Sequence, residues 1–247
     1  MAEATDFVRE RGIITLPEPL TVLVDRSPSY FVGQAVGGVY PAGPYAPDAD
    51  TLLFLPTPPD GLSEEELAAF FRDFNDHFNR MITPHEVVPG HYLQLKLAAH
   101  HPRTVRALFA DGVYVEGWGT FCERLLLDEG WGGPLDRIAH LKKQLENIAR
   151  TVVDIRVHTR GMTRDEVISF VKEEALQDDR FASNMWARSI RSAPQLTSYY
   201  LGFNQVWSLY EDVKAARGED FELRAFMDGM MEMGPVAVRH YRERMLP

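Results

Sequence analysis

Cysteine is almost missing from this 247-residue chain, where Cys122 stands alone. An internal disulfide and a thiolate-rich zinc site are both excluded, so any metal must be held by histidine and carboxylate. Long apolar runs are missing too: none approaches the roughly 20 residues of a membrane-spanning helix. The mixed, charged start, Met1 to Arg11, has neither the apolar centre nor the small-residue cleavage site of a signal peptide. A cytoplasmic location is therefore expected. Positive charge is scarce, with 26 Lys and Arg against 36 Asp and Glu, and no basic run exceeds two residues. The resulting net charge of -10 makes nucleic acid and anionic membrane poor partners and a cation a good one.

Proline thins out along the chain, and more than half of the sixteen lie in the first sixty residues. Residues 1–62 read as a strand-and-loop segment. Two β-like runs, Leu20 to Val24 and Thr51 to Leu55, flank a stretch punctuated by Gly33, Gly37, Gly38 and Gly43. Such a segment cannot bury a core alone. It is expected to pack on the remainder as a plain hairpin, or to lend a strand edge to the rim of a site.

Residues 63–247 read as a helical body, the whole making one structural domain. Ser63 with Glu66 forms a capping box that opens a helix to about Met81, and His77 at the border of its apolar face reads as a surface residue. Thr83 and Pro84 start another, with proline at the favoured first position. Further helices fit 103–110, 113–129, 134–159, 163–176, 181–191, 195–216, 220–231 and 235–245. In the long one, Ile138, Leu141, Leu145, Ile148, Val152 and Ile155 alternate by three and four, which predicts a buried stripe.

The chemistry concentrates in Thr83-Pro84-His85-Glu86-Val87-Val88-Pro89-Gly90-His91. Two histidines with a downstream glutamate form a ligand set for catalytic zinc, and the glutamate beside the first histidine is placed as general base. In the common arrangement the two histidines are four apart on one helix face. Here the step from His85 to His91 is six, which on a regular helix separates them by roughly 240° around the axis. Pro89 cannot continue a helix and Gly90 adopts conformations closed to other residues, so a break there would return His91 to the side of His85. A structural alternative stands beside this one: Thr83 and Glu86 also fit a capping box, which would leave Glu86 as a helix-start residue.

Glu116, in Val113-Tyr114-Val115-Glu116-Gly117-Trp118, interrupts an apolar run and is the favoured third ligand. A carboxylate in such surroundings needs a partner, either a metal or an arginine such as Arg124 or Arg156. Glu123, seven residues on and on the same helix face, is the alternative ligand or a group that supports one.

Four stretches carry a family likeness: HEVVPGHYLQ, YVEGWGTFCERL, ARTVVDIRVHTRGMTRDEV and QLTSYYLG. Together they resemble the bacterial domain-of-unknown-function family 885, from about residue 10 to about residue 235. That resemblance implies a mainly α, multi-helix zincin-like fold of the gluzincin, helical-carboxypeptidase kind, with a small β element near the N-terminus. It implies one Zn2+ per chain on His85, His91 and Glu116, with Glu86 as base. It also nominates His158, oriented by Asp154, and Tyr199 as donors to an oxyanion. Two departures stand out. Tyr92 replaces the family's second adjacent histidine, and family members run to about twice this length, the likeness being to their C-terminal half.

The expected activity is therefore that of a zinc metallopeptidase of carboxypeptidase or peptidyl-dipeptidase type, acting on a peptide or a small amide or ester. Arg188 or Arg191 would meet a free carboxylate. A homo-oligomer or a partner chain would complete the cleft. The alternative is a non-catalytic helical module that works through such a partner.

Overall fold

The computed structural model describes residues 1–28 and 37–247, so Gly33 lies outside the described residues. The N-terminal segment begins with a helix that no side-chain cap announces, α1 (Ala2–Glu10). Its Ala4 and Val8 are buried in the main core, and the Phe7 ring lies 5.4 Å from that of Trp131. Three strands follow, β1 (Val22–Arg26), β2 (Gly38–Tyr40) and β3 (Thr51–Leu55), in the order β1-β3-β2. The two strands expected from sequence pair in parallel, with Val24 opposite Leu53, so they are not a hairpin. The antiparallel partner of β3 is β2, which the sequence pattern did not announce. The sheet is moored on the helix α4 (His91–Ala99): Thr21 N donates to the Tyr92 hydroxyl at 2.9 Å, and Lys96 Nζ donates to the carbonyls of Pro47 and Ala49.

The first two body helices are α2 (Glu64–Asp73), opened by the Ser63–Glu66 capping box, and α3 (Asp76–Glu86). The single helix expected from Ser63 to about Met81 is broken by Asn75, whose side chain caps Phe78 N at 3.0 Å. Pro84 consequently sits inside α3 and does not begin a helix. Having no N–H, it cannot satisfy the Arg80 carbonyl one turn back. That carbonyl accepts from Trp131 Nε1 instead, at 3.0 Å. Beyond α4 come α5 (Thr104–Leu108), α6 (Gly112–Asp128), α7 (Pro134–Arg160), α8 (Arg164–Glu174), α9 (Asp179–Arg191), α10 (Gln195–Arg217), α11 (Leu223–Glu232) and α12 (Val238–Met245). The main core gathers Trp118, Phe121, Leu209 and Met230 with α1 and the sheet, while a smaller one joins α7 to α10 around Val153, Val171 and Leu196.

Helices α6 and α10 touch backbone to backbone. A Cβ on Gly117 would lie 2.3 Å from the Gly202 carbonyl carbon, and one on Gly202 would lie 1.9 Å from the Val113 oxygen.

The long helix α7 is inside out relative to its sequence pattern. The stripe expected to be buried faces outward, with Ile138 60%, Leu141 54% and Ile155 48% exposed. The buried face carries Asp136, His140, Lys143, Glu146, Arg150 and Asp154. Periodicity locates an apolar face, but what packs on it is decided elsewhere, and here the charged face has partners inside the body.

Gly202→Ala is expected to lower unfolding free energy by about 3 kcal/mol, because α10 must move off α6 to seat the methyl. Chemical denaturation measures it, and a cost under about 1 kcal/mol would contradict the backbone contact.

Candidate metal centre

His85 is the penultimate residue of α3, and the chain leaves the helix at Val87. A cis Val88–Pro89 peptide and Gly90 lead directly into α4, which His91 begins. A Cβ on Gly90 would stand 1.9 Å from the His85 carbonyl oxygen, so only glycine lets the chain fold back this closely. Trp118 Nε1 donates to the Pro89 carbonyl at 2.9 Å and fixes the connection. Thr83 and Glu86 stand at the end of α3 and form no capping box; the Thr83 hydroxyl donates back to Asn79.

The break brings the two imidazoles together edge to face, with ring centroids 4.6 Å apart. Glu116 on α6 meets both: its Oε2 lies 3.7 Å from His85 Nε2 and 3.6 Å from His91 Nε2. One ligand atom from each of the three residues falls within 4.8 Å of the others. Zinc bonds of about 2.1 Å in a tetrahedron put ligand atoms roughly 3.4 Å apart, close to the separation of Glu116 Oε2 from each imidazole, so the donor set fits one zinc ion. The arrangement around the ligands agrees. Glu116 Oε1 is held by Gln195 Nε2 at 3.2 Å, leaving Oε2 for an ion. On the far side of the His85 ring, Nδ1 meets Glu123 Oε1 at 2.7 Å, which directs Nε2 inward. Glu123 is fully buried and its second oxygen meets His140 Nδ1 at 3.2 Å. It therefore stands behind the histidine, not among the ligand atoms. Gly119 makes room for the ring, since a Cβ there would lie 2.7 Å from His85 Cε1.

Burial alone would raise the Glu116 carboxyl, but His85 and His91 hold it well below the usual carboxylate range. Burial likewise opposes the charge on Glu123, yet His140 and His85 bring it down to about 2. His85 loses solvation and still rises to about 10, because Glu116, Glu123 and Glu86 surround it with negative charge.

Glu86 ends α3, half-buried, and makes no hydrogen bond or ion pair among the described residues. Tyr199 is linked to Glu116 through the Gln195 amide. Its hydroxyl accepts from Gln195 Nε2 at 2.9 Å and from Arg188 Nη2 at 3.3 Å, and the Arg150 guanidinium stacks 4.6 Å from its ring centroid. Burial and then Glu116 push the phenol up, so it stays protonated. Since both of these contacts are given to the oxygen, its own hydrogen is left to donate. His158 is elsewhere. Its Nε2 donates to the Ser189 carbonyl at 2.9 Å and lies 3.7 Å from Asp154, roughly 12 Å along α7 from Arg150 by helical rise.

Of the supporting groups, Glu123 was named from the sequence and the others were not. Gln195 opens the QLTSYYLG stretch and had a motif signal. His140 and Arg150 had none, because the α7 pattern pointed their face outward.

The family model described as bacterial protein of unknown function (DUF885) matches residues 1–245. The chain belongs to this family. Among solved structures, the chain resembles a "putative lipoprotein of unknown function" from Shewanella oneidensis with TM-score 0.88 and 33% identity, covering 100% of this chain and 44% of that one. A "putative lipoprotein" from Colwellia psychrerythraea matches with TM-score 0.80 and 22% identity over 98% of this chain and 42% of that one. This DUF885 chain thus spans less than half the length of either relative. No curated protein matches it. The expected cytoplasmic location is overturned by these likenesses, since a lipoprotein is carried outside the cytoplasm on its lipid.

The shifted groups set a pH profile for the metal-free protein. Glu123 descends from 4.5 to about 2 on folding, so its contribution is present above pH 4.5 and lost as pH falls toward 2. His85 ascends from 6.5 to about 10, so its contribution is complete below 6.5 and lost as pH rises toward 10. Thermal melting in chelator should show a plateau between those limbs, and Glu123→Gln should flatten the acid limb. An unchanged acid limb would contradict the burial of an ionised Glu123.

Proposed function

We propose that this chain carries a zinc hydrolase site of the gluzincin type, acting on peptide bonds. The observation that supports it is the convergence of His85 Nε2, His91 Nε2 and Glu116 Oε2 next to Glu86, whose carboxylate makes no hydrogen bond or ion pair among the described residues. A zinc ion there would supply an acidified water and polarise the scissile carbonyl. Glu86, one residue from a ligand, takes the water's proton and returns it to the departing amine. Tyr199 donates its remaining hydrogen to the oxygen that gains charge, and Arg150 over its ring strengthens that donation. His158 takes no part, being tied to the Ser189 carbonyl.

Arg188 brings a cation to within one side chain of Glu116 through Gln195, a placement that suits the free carboxylate of a short peptide. Arg191 is exposed and bonded to its own helix at Ala187, which leaves it aside. The same zinc chemistry would serve a small amide or ester. The lipoprotein relatives support a site of action outside the cytoplasm. Their greater length supports a second reading, in which the site turns over only when further polypeptide walls the cleft.

Glu86→Gln is expected to keep one zinc per chain and to lose peptide cleavage by about 10²- to 10⁴-fold. His91→Ala is expected to lose the zinc itself. Metal analysis with mass-spectrometric assay of a peptide mixture reads both. Undiminished cleavage by Glu86→Gln would remove it as the base, and a wild-type chain that takes up no zinc would overturn the hydrolase reading.

A further inference from the structure

The outward stripe of α7 has the spacing of a coiled-coil seam. Ile138, Leu141, Leu145, Ile148, Val152 and Ile155 advance by alternating steps of three and four, a period of 3.5 residues over roughly 26 Å of helix. A seam with that period is suited to a second helix packed along it at a shallow angle. All three acidic residues of α7, Asp136, Glu146 and Asp154, are buried on the opposite face. The charges that α7 itself places beside the seam are therefore only basic, with Asp73 of α2 joining them at the end where a cavity opens. Arg137 pairs with Asp128 at 3.1 Å, Lys142 shares the lining of that cavity with Asp73, and the Arg156 guanidinium lies 5.8 Å from the Phe170 ring centroid. At the N-terminal end, Leu135 and Ile138 continue into this cavity of about 240 Å³ that Phe78 and Phe181 also line.

We infer that the α7 seam is the docking surface for a helix of another polypeptide segment, apolar along its contact line and acidic on its flanks. Two observations choose this occupant. More than half the length of each structural relative lies outside the part this chain matches, so in those proteins the fold occurs together with further polypeptide. A second copy of α7 would bring basic flanks against basic flanks, which disfavours self-pairing. A membrane is also a poor occupant, because α7 contains no Trp, Tyr or Phe to seat at an interface.

The test uses the full 247-residue chain and two labelled synthetic helices of roughly four heptads, with Leu and Ile along the seam and either Glu or Lys on the flanks. Fluorescence anisotropy should show the acidic peptide binding at least about tenfold more tightly than the basic one, with affinity falling as salt rises. Leu141→Glu and Leu145→Glu, at exposed positions, should each weaken binding by about tenfold or more, with circular dichroism and zinc content unchanged. Failure of the acidic peptide to bind, or equal binding of both, would overturn the proposal. So would a dimer of the chain alone that Leu145→Glu dissociates, which would make a second copy the occupant. Sedimentation of the chain with anionic vesicles, abolished by the same change, would assign the face to lipid.

Discussion

The structure depends on the pairing of buried charge along one face of α7. Removing an ionised side chain from water costs several kcal/mol unless a partner replaces the solvent. Here each has one. Glu123 lies between His85 and His140, Glu146 between Lys143 and Arg150, and Asp154 accepts from Thr197 N and Oγ1. Single partners cannot be removed without stranding another charge. The arrangement fixes α7 with its polar face toward α3 and α10, orients the His85 ring and keeps Arg150 against Tyr199. The apolar exterior of α7 follows from the same constraint, since a helix cannot turn both faces inward.

A second constraint is close approach of backbone. The glycines within the recognisable motifs are contact points. Gly90 passes against the His85 carbonyl, Gly119 clears the imidazole, and Gly117 and Gly202 let α6 and α10 touch. These contacts set the position of Glu116 relative to both histidines and to Gln195. The motif residues that carry no chemistry thus set the distances between those that do.

How much was legible in the sequence follows from which signals are local. The Pro89-Gly90 step violates helix geometry within the motif itself, so a chain break beside His85 could be read directly, and the structure has one there. The capping boxes at Ser63 and Thr163 are equally local and both form. Pro84 misled because proline at a helix start and proline inside a helix look alike until the Arg80 carbonyl finds Trp131, a residue far away in sequence. The α7 stripe misled for the same reason on a larger scale. Its apolar period is real, but the side that faces the body was decided by Glu123, Tyr199 and Thr197 on other helices. The family likeness nominated His158, with Asp154 one turn before it to orient the ring; the Ser189 carbonyl that claims the imidazole belongs to α9.

The central claim is that His85, His91 and Glu116 share one ion. Anomalous diffraction at the zinc edge, from crystals of the chain grown with zinc, tests it without reference to any substrate. The account predicts a single strong peak about 2.1 Å from both imidazole Nε2 atoms and from Glu116 Oε2, with Glu123 still on His85 Nδ1. No peak at that position, or a peak bonded to Glu123 in place of Glu116, would contradict it.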